Sequence, residues 1–165
     1  MKIFLIGFMG CGKSTIGKSL AKKNNKKFID LDILIEKKIG KSINKIFNED
    51  GEEYFRYLEK ENLLDVCKLG NIVVATGGGT PCFFDNMNLM LKNGIVIYLK
   101  MKPKDLSRRL KEKKKERPLL NKIKKQDLEK NIREILNQRR GVYEKANLIL
   151  SDLNFEEKNL VELLR

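Results

Sequence analysis

Residues 7–15 read GFMGCGKST, with glycines, a lysine and two hydroxyls at the spacing G-x-x-x-x-G-K-[ST]. Residue types in this order suit one task, the holding of a chain of phosphates. Gly7, Gly10 and Gly12 let the backbone curl with its N–H groups inward, and a helix starting where the curl ends adds a positive terminus. Lys13 then reaches the β- and γ-phosphates, and the Ser14 hydroxyl ligates Mg²⁺. The run predicts nucleotide contact through Gly10, Cys11, Gly12, Lys13, Ser14 and Thr15.

Such a site needs a carboxylate on the metal side. The apolar run NIVVAT at 71–76 ends in Gly77-Gly78-Gly79 and offers none at its tip. Asp30-Leu31-Asp32, at the end of KFID, supplies two. Residues two apart in an extended chain point the same way, so both carboxylates can face the site. Asp30 then serves the metal and Asp32 accepts a proton from an acceptor hydroxyl; a helix N-cap at Asp32 is the plainer alternative. The triglycine, inside TGGGT at 76–80, puts backbone without side chains where ligands of open α/β sheets bind, or else is a flexible turn. Arg56 lies in the acid-rich GEEYFRYLEKE and Arg139 in QRRGVY; either could be a surface ion pair. Arg117, beside Pro118, could close a guanidinium over phosphates.

The elements that must position these groups follow from hydropathy. KIFLI (2–6), KFID (27–30), NIVVAT (71–76), GIVIYL (94–99) and NLILS (147–151) are short apolar runs bounded by turn residues. Their lack of polar alternation predicts strands covered on both faces, and their alternation with helix-like stretches, beginning at 14–23, predicts an α/β fold with a parallel sheet. Two insertions interrupt the alternation. Residues 33–69 read as mostly helical, with Ile39, Ile43, Ile46, Phe47, Tyr54, Phe55 and Leu58 as the apolar positions. Residues 111–125 are too charged, and too interrupted by Pro118, to form a core element, and read as a mobile loop.

Composition sets the outer limits. At 165 residues and 41% hydrophobic, the chain suits one globular domain, and its longest apolar stretches fall far short of the roughly 20 residues of a membrane span. No export signal is visible, which predicts the cytoplasm. Histidine is absent, which excludes imidazole bases, the triads that need one and imidazole zinc sites. Cys11, Cys67 and Cys82 form no C-x-x-C arrangement and predict free thiols. The net charge is +13, and residues 100–125 hold thirteen Lys or Arg against three acids. That excess suits nucleic acid, anionic lipid or a small polyanion such as a nucleotide, or is only a solvated basic surface; the lack of interleaved aromatics and of a recognised motif argues against nucleic acid.

GFMGCGKST, Asp30 and Asp32, the FR pair at 55–56, the triglycine at 77–79, RPLL at 117–120 and R-x-G-x-Y at 139–143, in that order and at these spacings, resemble the shikimate kinase family across nearly the whole chain. The resemblance implies a three-layer α/β/α phosphate-loop kinase fold with a five-stranded parallel sheet of order 2-3-1-4-5. It implies one kinase domain over 1–165, with a substrate-binding region at about 33–61 and a lid at about 111–124. ATP is then the donor, Mg²⁺ the cofactor and the 3-hydroxyl of shikimate the acceptor, in a monomer with no nucleic-acid or membrane partner. Carried over by position, Lys13 binds the transferring phosphoryl group, Ser14 and Asp30 hold Mg²⁺, and Asp32 contacts acceptor hydroxyls. Arg56 and Arg139 grip the carboxylate, Gly77, Gly78 and Gly79 approach the substrate, Arg117 arrives from the lid, and Arg109, next to Arg108, packs on adenine. Gly141 departs from the proline common in the family, which predicts a looser backbone after Arg139.

Overall fold

The computed structural model describes residues 1–111 and 123–151. Most of the 111–124 segment, Arg117 with it, lies outside the described residues, as do residues 152–165. Five strands form where apolar runs were expected: β1 (Lys2–Ile6), β2 (Lys27–Asp30), β3 (Ile72–Ala75), β4 (Ile95–Lys100) and β5 (Leu148–Ser151). They make one sheet of order β2-β3-β1-β4-β5, and every pairing is parallel. In the central strand β1, Leu5 lies in register with Ala75 on one side and Ile97 on the other. Ile3, Phe4, Leu5 and Ile6 are wholly buried, as two covered faces require.

Helices cover both faces. On one side α1 (Lys13–Lys23) packs with α6 (Pro103–Leu110) and the start of α7 (Leu128–Tyr143), through Leu20, Leu106, Leu110, Leu128 and Ile132. On the other lie α2 (Leu31–Ile39), α4 (Gly51–Cys67) and α5 (Asn86–Asn93), joined by Tyr143 from the far end of α7. Helix α7 therefore passes from one core to the other. The 33–69 insertion resolves into α2, α3 (Ile43–Glu49) and α4, pinned by buried Ile35, Ile46, Phe55 and Leu58. Tyr54 is a correction: it is 42% exposed, because the burial of Phe55 turns its neighbour about 100° away around the helix. Gly141 leaves α7 unbroken, and the helix continues to Tyr143. No helix among the described residues is long and apolar enough to cross a membrane.

Candidate active site

A cleft of about 700 Å³ opens at the carboxyl ends of β1, β2 and β3, where all three chains leave the sheet in the same direction. The 7–15 loop forms one wall. Gly10 and Gly12 have φ of 81° and 100°, backbone that a residue with a Cβ seldom adopts, and Gly12 is the N-cap of α1. With no capping side chain, the first N–H groups of α1 face the cleft as an anion site. The Lys13 ammonium folds over the loop, donating to the carbonyls of Gly7 at 2.9 Å and Phe8 at 3.0 Å. Arg109, on α6, donates through Nη1 to the Gly10 carbonyl at 3.3 Å, whereas Arg108 turns away to pair with Asp105. Of these two neighbours, left open in the sequence, Arg109 is the one on the side of α6 that faces the loop.

Asp30 and Asp32 both line the cleft. The reason differs from the one drawn from sequence, because the chain is extended only to Asp30 and α2 begins at Leu31. Asp30, not Asp32, is the N-cap, its Oδ1 accepting from the Ile33 N–H at 3.4 Å. Its other oxygen, Oδ2, accepts from Ser14 Oγ at 2.6 Å. This hydroxyl and carboxylate make a hard-oxygen donor pair that fits Mg²⁺, an ion that keeps waters and phosphate oxygens in most of its coordination sphere. Asp32 sits in the first turn of α2, its Oδ1 close against Gly77, where a Cβ would lie 2.9 Å from it and 2.5 Å from Glu59 Oε1. Gly77 is therefore fixed by lack of room, and the triglycine is a closely contacted wall rather than a free turn.

Across the cleft stands a buried charge cluster. Arg56 is 4% exposed and Glu59 wholly buried. Arg56 donates to Glu59 Oε2 at 2.6 Å and twice to Glu52 Oε1, at 2.8 and 3.1 Å, while its guanidinium lies 4.1 Å from the centre of the Phe83 ring. Burial opposes the Arg56 charge, but Glu59 and Glu52 more than offset that and hold its pKa above the usual value. Burial pushes the Glu59 carboxyl up, against the pull of Arg56, Thr80 and Arg139. Its Oε1 accepts from Thr80 Oγ1 at 2.5 Å, which ties α4 to the turn after the triglycine. A Cβ on Gly79 would lie 2.6 Å from Arg56 Nη1. From α7, Arg139 Nη1 reaches the Gly78 carbonyl at 3.0 Å, and Tyr143 donates its hydroxyl to the same oxygen. Burial raises the Tyr143 pKa well above the usual range, Arg139 opposing, so the hydroxyl keeps its proton. Arg56 and Arg139 thus converge on the triglycine, and neither is a surface ion pair.

The family model described as shikimate kinase matches residues 9–164. The chain belongs to the shikimate kinase family. The shikimate kinase of Phocaeicola vulgatus is 42% identical over 161 residues, 98% of this chain and 92% of that one, and that of Sulfurihydrogenibium is 47% identical over 146, or 88% and 84%. The crystal structure of shikimate kinase from Bacteroides thetaiotaomicron superposes with a TM-score of 0.91 at 40% identity, covering 99% of this chain and 98% of that one. The Acinetobacter baumannii enzyme, solved in complex with shikimate, gives 0.90 at 32% identity, covering 99% and 89%.

Within this family member, the residues singled out from sequence gather at one cleft. Gly10, Gly12, Lys13, Ser14, Thr15, Asp30, Asp32, Arg56, Gly77, Gly78, Gly79 and Arg109 line it, and Arg139 touches it through Gly78. Cys11 is the exception, 2% exposed and facing the core rather than the opening. Glu59 was missed, and Thr80 and Tyr143, inside the quoted TGGGT and R-x-G-x-Y runs, were given no role of their own. Glu59 carried a signal, three residues after Arg56 on a predicted helix and so on the same face. Thr80 and Tyr143 carried none that pointed to their partners, which are more than 20 residues away in the chain.

Proposed function

We propose that the chain transfers the γ-phosphoryl group of ATP to the 3-hydroxyl of shikimate, with Mg²⁺ as companion of the nucleotide. The observation that carries the reading is the convergence of a phosphate-binding loop and two guanidinium groups on opposite walls of one cleft. One wall suits a triphosphate and the other a carboxylate, and between them Asp32 faces a space that hydroxyls would fill.

Ser14 and Asp30 would hold Mg²⁺, which supplies charge neutralisation to the phosphates. The loop N–H groups and Lys13 bind the phosphates; to do so Lys13 exchanges the carbonyls of Gly7 and Phe8 for phosphate oxygens. Arg109, already over the loop, packs on the base of the nucleotide; the role of Arg117 at the transferring group rests on its place in the RPLL run, which lies outside the described residues. Arg56 and Arg139 hold the acceptor carboxylate by charge-assisted hydrogen bonds, which orient the ring so that one hydroxyl faces ATP. Asp32 accepts from that hydroxyl and takes its proton as the new bond to phosphorus forms. Phosphoryl transfer rests on position and charge more than on a strong base, so a chain without histidine can perform it. The region 33–61 is the substrate-binding part of a single domain. Action as a monomer in the cytoplasm belongs to the same proposal, and three unpaired thiols suit a reducing compartment.

The test is ADP release by purified protein with Mg-ATP, comparing shikimate with gluconate, nucleoside monophosphates and no acceptor. Strong stimulation by shikimate alone is expected. Equal rates with shikimate and with no acceptor would remove the acceptor assignments and leave the phosphate loop standing.

A further inference from the structure

The Gly78 carbonyl accepts two hydrogen bonds, one from Arg139 and one from Tyr143, which uses both of its lone pairs. The donors are four residues apart on α7, so their side chains leave the same face of the helix and meet over one oxygen. Gly78 is the middle of three glycines, where no side chain resists rotation of the peptide planes. Something outside the segment must set the direction of that carbonyl. Arg139 alone is a weak candidate, because it is only half buried and its long side chain has several rotamers.

Tyr143 is different in kind. It is wholly buried, and its ring lies 4.9 Å from that of Tyr98 on β4, tilted by 48°. A ring held this way places its hydroxyl before any ligand arrives. On its other side Gly78 meets the phosphate loop, where an added Cβ would stand 3.1 Å from Met9 N. The peptide is therefore clamped between the loop and α7, and the hydroxyl is the one rigid donor from the α7 side.

We infer that Tyr143 is a positioning residue, whose hydroxyl fixes the Gly78 carbonyl and through it the aim of Arg139 at the acceptor carboxylate. The inference rests on the reaction proposed above. It separates Tyr143 from a core tyrosine that merely satisfies its own hydroxyl. A core role would alter stability and affect both substrates alike, whereas a positioning role alters one substrate and acts only while Arg139 is present.

The experiment is a cycle of four full-length proteins: wild type, Tyr143→Phe, Arg139→Ala and the double variant. Melting temperature, kcat, and KM for shikimate and for ATP are measured for each. Phenylalanine keeps the ring and removes one oxygen, so the fold is retained. Tyr143→Phe is expected to raise the shikimate KM about three- to tenfold, the range of one hydrogen bond. The ATP KM should stay as in wild type. In the Arg139→Ala background the same substitution should change the shikimate KM little, because the group it aims is gone. An equal rise in both backgrounds, a parallel rise for ATP, or no rise at all would overturn the positioning role. Wild-type protein that shikimate fails to stimulate would overturn the proposed reaction, and this inference with it.

Discussion

Glu59 shows how a buried charge can serve geometry more than stability. Its carboxylate has no exposure, and burial raises its pKa despite the Arg56 guanidinium 2.6 Å away. For Glu59 the desolvation cost therefore exceeds the attraction, while at Arg56, which Glu52 also holds, the balance runs the other way. What the pair supplies is direction, since Glu59 holds Arg56 on one oxygen and Thr80 on the other. Glu59→Ala should cost about 3–5 kcal/mol, because it leaves Arg56 buried without its nearest partner. Glu59→Gln should cost much less, while both variants raise the shikimate KM; equal stability losses in chemical denaturation would show the charge itself to be what matters. The pH sign follows from the raised value. Folding favours the protonated carboxyl, so the contribution of Glu59 is fully present below the unfolded value near 4.5 and declines as pH rises through the folded one. Denaturation at stepped pH should find the gap between wild type and Glu59→Gln narrowing as pH climbs above that value, and a widening gap would reverse the sign.

At the scale of elements, two helical glycines make opposite predictions from the same chemistry. Gly141 lies within α7 with nothing inside 4 Å of an added Cβ, so Gly141→Ala should stabilise by about 0.5–1 kcal/mol through lost freedom of the unfolded chain. Gly17, on α1, faces Phe28 of β2, and an added Cβ would lie 2.5 Å from Cε2 of that ring. Gly17→Ala should destabilise by about 1–3 kcal/mol, the usual cost of overpacking. Thermal melts of the two variants should move in opposite directions, and a shared direction would mean that α1 does not lie as close to β2 as described. The same contrast explains what the sequence could and could not reveal. All five strands were legible, because a strand buried on both faces leaves a continuous apolar run. The phosphate loop was legible because its chemistry is contiguous. The pairing of Asp30 with Ser14 needed only a guess at sheet order, whereas the bonds of Tyr143 to Gly78 and of Thr80 to Glu59 join distant segments through single atoms, and no local pattern records that. Asp32 marks the boundary. It was correctly placed at the cleft for a mistaken reason, since the chain was read as extended two residues past Asp30, where α2 has already begun.

For the whole molecule, the fact to explain is a net charge of +13 on a chain whose proposed substrates are both anions. If that charge were only a solvated coat, substrate capture would not depend on ionic strength beyond ordinary screening at the site. Its placement argues otherwise. Lys104, Arg108 and Arg109 are exposed along α6, with exposed Lys102 at its N-cap, and Arg109 touches the phosphate loop itself. A field from this helix would reach an approaching nucleotide over the Debye length, about 30 Å at 0.01 M salt and about 3 Å at 1 M. The expected result is a steep fall in kcat/KM for ATP as potassium chloride rises across that range, with kcat nearly constant, because steering acts on encounter and not on bound groups. Shikimate, with one carboxylate, should show a shallower slope. Replacing Lys102 and Lys104 together by glutamine should flatten the ATP slope without altering kcat, since neither side chain lines the cleft. Stopped-flow measurement of nucleotide association against salt decides the matter. Parallel slopes for the two substrates, or an ATP slope that ignores the double substitution, would return α6 to the status of a solvated basic surface.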